Sequence, residues 1–247
     1  MIRKSIAAFA LIAAIASPAA AKTLTVGANV GNVPWEFQNE QSEVVGFEVD
    51  LVQEVARRLG YDEVKIENIP FNGLFSAVQS GRIDAAISSI TITAKRLESV
   101  SFAQPYYDSD QSLSVLESSG ITGLSGLSGK VVGVDTGSTG DMWATEHQAE
   151  YGISDIRRFE GLSPAMLDLA AGRIDGYVSD IPAVEYYIKD KPQYAVVERI
   201  RTGEQYSIMF AKDSPLAAEA TKAIGEMKSD GFMAKLHETW FLSLIHI

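Results

Sequence analysis

The sequence predicts an α/β protein made of two similar units, and three observations carry that expectation. Short apolar, strand-like runs alternate with helical periodicity along nearly the whole chain. A segment is repeated: SAVQSGRIDAAISSI at 76–90 and LDLAAGRIDGYVSDI at 167–181. Each copy is preceded by a matching apolar run that ends in a polar residue, LTVGAN at 24–29 and KVVGVD at 130–135. A chain of 247 residues, 46% of them apolar, is long enough to bury a core in each of two such units.

The elements follow in order. Arg3 and Lys4 precede an apolar stretch at 6–15 and then Pro18-Ala19-Ala20-Ala21. This reads as a secretory signal peptide, residues 1–21, cut after Ala21. Its apolar heart is too short for the roughly 20 residues a membrane span needs. A strand is expected at 24–29. Phe47, Leu51, Val55 and Leu59 share one face of a helix over 47–59, with Glu48 and Asp50 in its first turn and Gly60 beyond its end. A strand follows at 64–69. In each repeat a helix ends at a glycine, Gly81 or Gly172, suited to a left-handed cap, before Arg-Ile-Asp and a short strand. The Ser- and Gly-rich stretch 118–129 reads as a linker or surface loop. Ser163-Pro164 and Ser214-Pro215 read as cap-and-first-residue pairs that open helices over 165–171 and 216–230.

Composition excludes several functions. A formal charge of -11 with no basic cluster argues against nucleic acid or an anionic membrane as partner. The absence of cysteine removes disulfides, thiolate metal sites, cysteine nucleophiles and a lipid-modified cysteine. His147, His237 and His246 are too dispersed for a local metal motif, so no metal and no cofactor is expected.

In open α/β sheets, ligands bind beyond the carboxyl ends of strands, which points at Asn29, Ser88, Ser89, Asp135, Ser179 and Asp180. The sequence DTGS at 135–138 matches the aspartic-protease signature, but the second such segment that a carboxylate dyad needs is missing and the helix content is wrong. A glycine-rich turn into a helix, with free N–H groups at 138–140 able to hold an anion, is the better reading. The segment SSITITAKR at 88–96 leaves a buried strand through hydroxyl residues and opens a helix near Thr93 that carries Arg96. A planar, always-charged arginine beside strand-end hydroxyls suits a carboxylate clamp.

With those residues in view, the chain resembles the polar amino-acid family of periplasmic solute-binding proteins that feed ABC importers, bacterial extracellular solute-binding protein family 3. The shared segments are VPWEF at 33–37, VGFEVDL at 45–51, FNGLFSAVQSGRIDAAISSITITAKR at 71–96 and SFAQPYY at 101–107. GKVVGV with its TGSTG turn at 129–140, AGRIDGYVSD at 171–180 and Trp240-Phe241 complete the set. The resemblance implies the type II periplasmic-binding-protein fold: two α/β lobes joined by a two-strand hinge near 106–110 and 204–208. Lobe 1 would be 22–106 with 208–241, and lobe 2 would be 110–204. Residues 242–247, LSLIHI, depart from the family's usual ending and are read as a non-native tail.

By the same resemblance Arg96 clamps the α-carboxylate of a free L-amino acid, Ser89 and Thr91 contact the same zwitterion, and Thr139 supplies an N–H from lobe 2. Asp180 holds the α-ammonium, and Phe71 walls the pocket. Asp180 has a rival but compatible reading as a helix cap, Phe71 reads alternatively as core, and Trp35 as core rather than ligand contact. Two departures bear on the side chain bound. Asn32 stands where many relatives carry a stacking aromatic, and Asp135 stands where glutamine-binding relatives carry lysine. Asp135, Asn29 and Asn32 would form a polar, weakly negative side-chain pocket, with Ser88 beside it. Asp135 reads alternatively as a cap on the turn at Gly137 or Ser138. The expected function is capture of a polar or basic amino acid by a periplasmic monomer and delivery to a membrane permease. The alternatives are an enzyme on the same scaffold, similar to cyclohexadienyl dehydratases and using Glu160 or His147 as acid, or a ligand-sensing domain, which needs an anchor or signalling domain after residue 241.

Overall fold

The computed structural model describes residues 21–241; the expected signal peptide, apart from Ala21, and the tail at 242–247 lie outside the described residues. The chain runs through β1 (Thr23–Ala28), β2 (Phe37–Gln38), β3 (Val44–Val45), α1 (Phe47–Arg58), β4 (Glu63–Asn68), α2 (Phe71–Gln79), β5 (Ala85–Ala86), α3 (Ala94–Leu97) and β6 (Val100–Phe102). It then forms β7 (Tyr107–Leu116), β8 (Val131–Asp135), α4 (Thr139–His147), β9 (Asp155–Phe159), α5 (Leu162–Ala170), β10 (Gly176–Asp180), α6 (Ile181–Ile188) and β11 (Tyr194–Tyr206). It returns through β12 (Met209–Ala211), α7 (Pro215–Ser229) and α8 (Phe232–Phe241).

Two five-stranded sheets result, in the orders β4-β1-β5-β12-β6 and β9-β8-β10-β7-β11. In each, the first three strands are parallel and the fourth runs antiparallel to the third. The repeat in the sequence is therefore a repeat of structure, and its details match. Asp84 accepts the N–H of Thr25 at 2.8 Å, and Asp175 accepts that of Val131 at 2.9 Å. Each aspartate thereby satisfies a backbone donor at the start of the neighbouring parallel strand. Ile83 and Ile174 cross the faces of Gly27 and Gly133, where an added Cβ would stand 2.5 Å from each isoleucine Cδ1. The glycines that close the preceding helices have φ of +70° at Gly81 and +66° at Gly172.

The two lobes are joined by β7 and β11, which pair antiparallel from Tyr107↔Tyr206 through Glu204↔Ser109 and on into the second sheet. Around the start of this ribbon Trp35, wholly buried, packs against Phe47, Tyr107, Tyr206 and Phe241 with ring centroids 4.7–5.5 Å apart. Trp35 is core, as its apolar setting in the sequence suggested. Segment 118–129 is a surface connection of two short 3-10 turns between β7 and β8.

Two local expectations need correction. The helix expected from residue 165 starts at Leu162, with Gly161 rather than Ser163 at its cap. Gly161 takes φ +126°, which lets the chain turn sharply, and Pro164 then falls in the first turn, where a missing N–H costs nothing. Ser214 does occupy the cap position of α7, but its side chain makes no capping hydrogen bond.

Candidate functional site

The carboxyl ends of the parallel strands of both lobes face one another. Between them lies a cavity of about 150 Å³, lined by Asn29, Asn32, Phe71, Ser88, Ser89, Thr91 and Arg96 from one lobe and by Asp135, Thr139 and Asp180 from the other. All ten residues singled out in the sequence meet on its wall. Ser179 also lines it.

Arg96 reaches this position because Thr93 caps α3, its hydroxyl accepting the Arg96 N–H at 3.1 Å. The guanidinium donates to the Thr91 carbonyl at 2.7 Å and, across the cleft, to the Gly137 carbonyl at 3.3 Å. It lies over Phe71 and Phe75, 5.5 and 5.1 Å from the ring centroids. Arg96 is buried rather than lining an open cleft, so its removal would not leave the empty protein untouched. Burial lowers its pKa to about 10, against the pull of Glu204 and Asp180, and it stays charged at neutral pH. Its Nε is sealed from solvent and has no hydrogen-bond partner.

Opposite it, the N–H of Thr139 is one of the donors that the start of α4 leaves without an intrahelical acceptor. The Thr139 hydroxyl donates to Glu204 Oε2 at 2.9 Å, and Thr91 from the other lobe donates to the same oxygen at 2.7 Å. Gln111 on β7 donates to Glu204 Oε1 at 3.0 Å and to Asp180. Asp180 does hold the cap position of α6, but its side chain makes no capping bond and turns to Gln111 instead. Burial first, and then the charge of Glu204, push its carboxyl well above the usual range, so it holds a proton more readily than an ordinary aspartate and ionises against a cation placed beside it.

Asp135 accepts the Tyr177 hydroxyl at 2.7 Å through Oδ2, while its Oδ1 is sealed from solvent with no hydrogen bond. The alternative reading as a turn cap fails, because the Gly137 N–H goes to Asp141 Oδ2 at 3.0 Å and the Ser138 N–H to the Asp135 backbone carbonyl at 3.0 Å. Burial raises the Asp135 carboxyl to about 7; Tyr177 opposes this and Glu160, also on the cavity wall, adds to it. In lobe 1, Asn32 donates to the Ser89 hydroxyl at 3.1 Å, and the Asn29 N–H to the Ser88 hydroxyl at 3.3 Å. Phe71 is a wall of the cavity and a face for Arg96 at once.

Gln111 and Glu204 were missed in the sequence. They sit on crossing strands and carry no motif; a pair of buried polar residues within strands was the one signal available. Of the two acids named for an enzymatic reading, Glu160 is at the cavity, whereas His147 ends α4 and stacks on Trp143 at 4.7 Å, outside the cavity wall. Among the described residues no group of three or more His, Cys, Asp or Glu could hold a metal ion, and no helix is long and apolar enough to cross a membrane.

Fold and site together define a two-lobed binding protein that encloses one small charged solute between strand ends. Residues 24–243 match the family of bacterial extracellular solute-binding proteins, family 3, and the chain belongs to it. It is 32% identical over 223 residues to the arginine-binding extracellular protein ArtP of Bacillus subtilis, covering 89% of this chain and 86% of that one. It is also 32% identical over 254 residues to the histidine-binding periplasmic protein of Salmonella typhimurium, covering 97% of each. Among solved structures, an ancestral arginine-binding protein bound to arginine superposes with a TM-score of 0.84 at 34% identity, covering 89% of this chain and 98% of that one. The arginine-, lysine-, histidine-binding protein ArtJ of Geobacillus stearothermophilus gives 0.83 at 30%, covering 89% and 95%. The first two relatives are named as binding proteins of the cell exterior and the periplasm, which supports a location outside the cytoplasm for this chain.

Proposed function

We propose that this protein captures a free L-amino acid with a basic side chain in the inter-lobe cleft and delivers it to the permease of an ABC importer, without chemical turnover. The observation that carries the choice of a basic side chain is the excess of acidic over basic side chains around the cleft, among them Asp135 and Asp180, whose pKa burial raises and a bound cation lowers. Asp135, Glu160 and Asp180 line it and Glu204 backs it, against the single cation Arg96. One carboxylate of the ligand satisfies Arg96 and the Thr139 N–H, and the α-ammonium goes to Asp180. A second positive group then lies beside Asp135 and Glu160 on the cavity wall. The names of the relatives, arginine, histidine and lysine binders, support the same class. A ligand carboxylate in the side-chain pocket would instead face Asp135 and Glu160 as like charges with water excluded. Export through a cleavable signal peptide, lobes at 22–106 with 208–241 and at 110–204, and a monomeric state complete the proposal.

A thermal-shift and competition experiment tests it. Ligand at a hundredfold excess over its dissociation constant stabilises by about 2.7 kcal/mol, roughly 5–10 °C in a chain of this size. The expected order is arginine, lysine or histidine above glutamine, with glutamate and aspartate weakest. A larger shift with glutamate than with any basic amino acid would overturn the charge argument, and labelled amino acid converted to product would favour the enzymatic reading.

A further inference from the structure

Glu36 and Glu48 are wholly buried in lobe 1 and are absent from the cavity wall, yet both reach its serines from behind. Ser88 donates its hydroxyl to Glu36 Oε1 at 2.5 Å. Ser89 donates its backbone N–H to Glu48 Oε1 at 2.8 Å, and Tyr106 donates its hydroxyl to the same oxygen. Ser89 has φ +46°, a left-handed conformation that a side chain other than glycine keeps only where its surroundings over-determine it. The Glu48 carboxylate on its N–H is the clearest such constraint.

The two carboxyls lie within hydrogen-bonding reach of each other, and no basic side chain acts on either. Each keeps one oxygen, Oε2, sealed from solvent with no partner. Two carboxylates cannot both stay ionised in such a place. One proton between them lets one carboxyl donate to the other. The charge belongs on Glu48, which lies in the first turn of α1, where the helix start favours an anion. Burial, and then the charge of Glu48, push Glu36 well above the ordinary carboxylate range. The other titratable groups facing the pair are Tyr106 and, beyond it, Tyr206 from β11, both kept neutral by burial. His237 of α8 lies against Phe47, next to Glu48, and burial lowers its pKa.

We propose that Glu36 and Glu48 share one proton and, as a carboxyl–carboxylate pair, hold the strand end at Ser88 and Ser89 in the conformation that meets the solute. The shared proton stands on its own; the positioning role rests on the cleft being the solute site. Both glutamates are positioning residues.

Three forms of the full chain test this: wild type, Glu36→Gln and Glu36→Leu, with L-arginine as the probe. The infrared difference spectrum of wild type against Glu36→Gln at about pH 8 should show the C=O stretch of a protonated carboxyl, far above the pH at which an ordinary glutamate ionises. Wild type should lose stability relative to Glu36→Gln as pH rises above the ordinary glutamate value of 4.5, because only the folded state keeps the proton. Glu36→Leu should bind L-arginine about tenfold more weakly. Glu36→Gln, which can still donate to Glu48 and accept from Ser88, should recover most of that loss. Absence of the carboxyl band would overturn the shared proton. Equal weakening by Gln and Leu at position 36 would overturn the positioning role. If wild type itself binds no L-arginine, lysine or histidine, the cleft reading and the positioning role fall together, and the band still decides the proton.

Discussion

At the scale of single residues, two ionisable groups of the cleft have separately measurable effects on binding. Arg96 is desolvated and bonded to both lobes, so Arg96→Ala leaves the ligand carboxylate buried without its partner. The expected cost is about 3–5 kcal/mol, or roughly a hundred- to several thousandfold in affinity by isothermal titration. Binding within threefold of wild type would show that the clamp is misplaced. Asp135 works through protonation. Its pKa in the empty cleft is about 7, above the ordinary aspartate value of 3.8. The folded state therefore holds a proton that the unfolded chain has lost, and stability of the empty protein declines as pH rises from the ordinary value toward about 7. A cationic side chain needs the ionised form and displaces that proton. Affinity for L-arginine should climb with pH up to about 7, by at most about tenfold per unit, and then level. Asp135→Asn should reduce the slope of the profile measured from about pH 5 to about pH 8, leaving the part that Asp180 contributes. An unchanged slope in that variant would remove Asp135 from the side-chain site.

At the scale of elements, the repeated Arg-Ile-Asp turn explains why glycine occupies the middle of two strands. Ile174 Cδ1, Phe159 and Tyr177 crowd the place where a Cβ at Gly133 would stand, as Ile83, Leu74 and Ile69 do at Gly27. Gly133→Ala should therefore destabilise lobe 2 by about 1–3 kcal/mol in urea unfolding. Ile174→Val removes the nearest atom, so the double variant should be less destabilised than the sum of the two single ones. Additive effects would mean that the backbone, rather than the isoleucine, absorbs the added methyl.

At the scale of the whole molecule, closure is held by groups shared between lobes and hinge. Glu204, next to the start of the crossing ribbon, accepts hydroxyls from Thr91 and Thr139, one from each lobe. Bonds to a charged acceptor contribute about 1.5–3 kcal/mol, so Thr139→Val should weaken ligand binding by about tenfold or more while leaving the Thr139 N–H in place. The loss should appear mainly in the dissociation rate, because Glu204, steadied by Thr139 of its own lobe, is the acceptor that Thr91 of lobe 1 reaches. Stopped-flow release of labelled L-arginine checks it; a changed association rate with unchanged release would place Thr139 outside the closing contacts.

The alternation of strands and helices, the duplicated turn and the caps at Thr93 and Gly81 were legible in the sequence because each depends on residues a few positions apart. The strand ends were legible for the same reason, which is why Asn29, Ser88, Asp135 and Asp180 could be named before any coordinates. The start of α5 was not, since Gly161 and Ser163 are both acceptable caps locally and the turn after β9 chooses between them. Asp135 and Asp180 illustrate a finer limit. Sequence placed each at the right strand end but left a local cap and a cleft role open. Tertiary structure decided by offering Tyr177 and Gln111 as partners. The site roles of Gln111, Glu204, Glu36 and Glu48 stayed invisible. Apart from the Glu36–Glu48 pair itself, the hydrogen bonds that give them their roles span between 28 and 113 residues of chain, and a buried polar side chain acquires its role only when such distant groups are brought within hydrogen-bonding distance. Local periodicity determined what the two lobes are; the pairing of buried charges, which no local pattern encodes, decided how they meet over a solute.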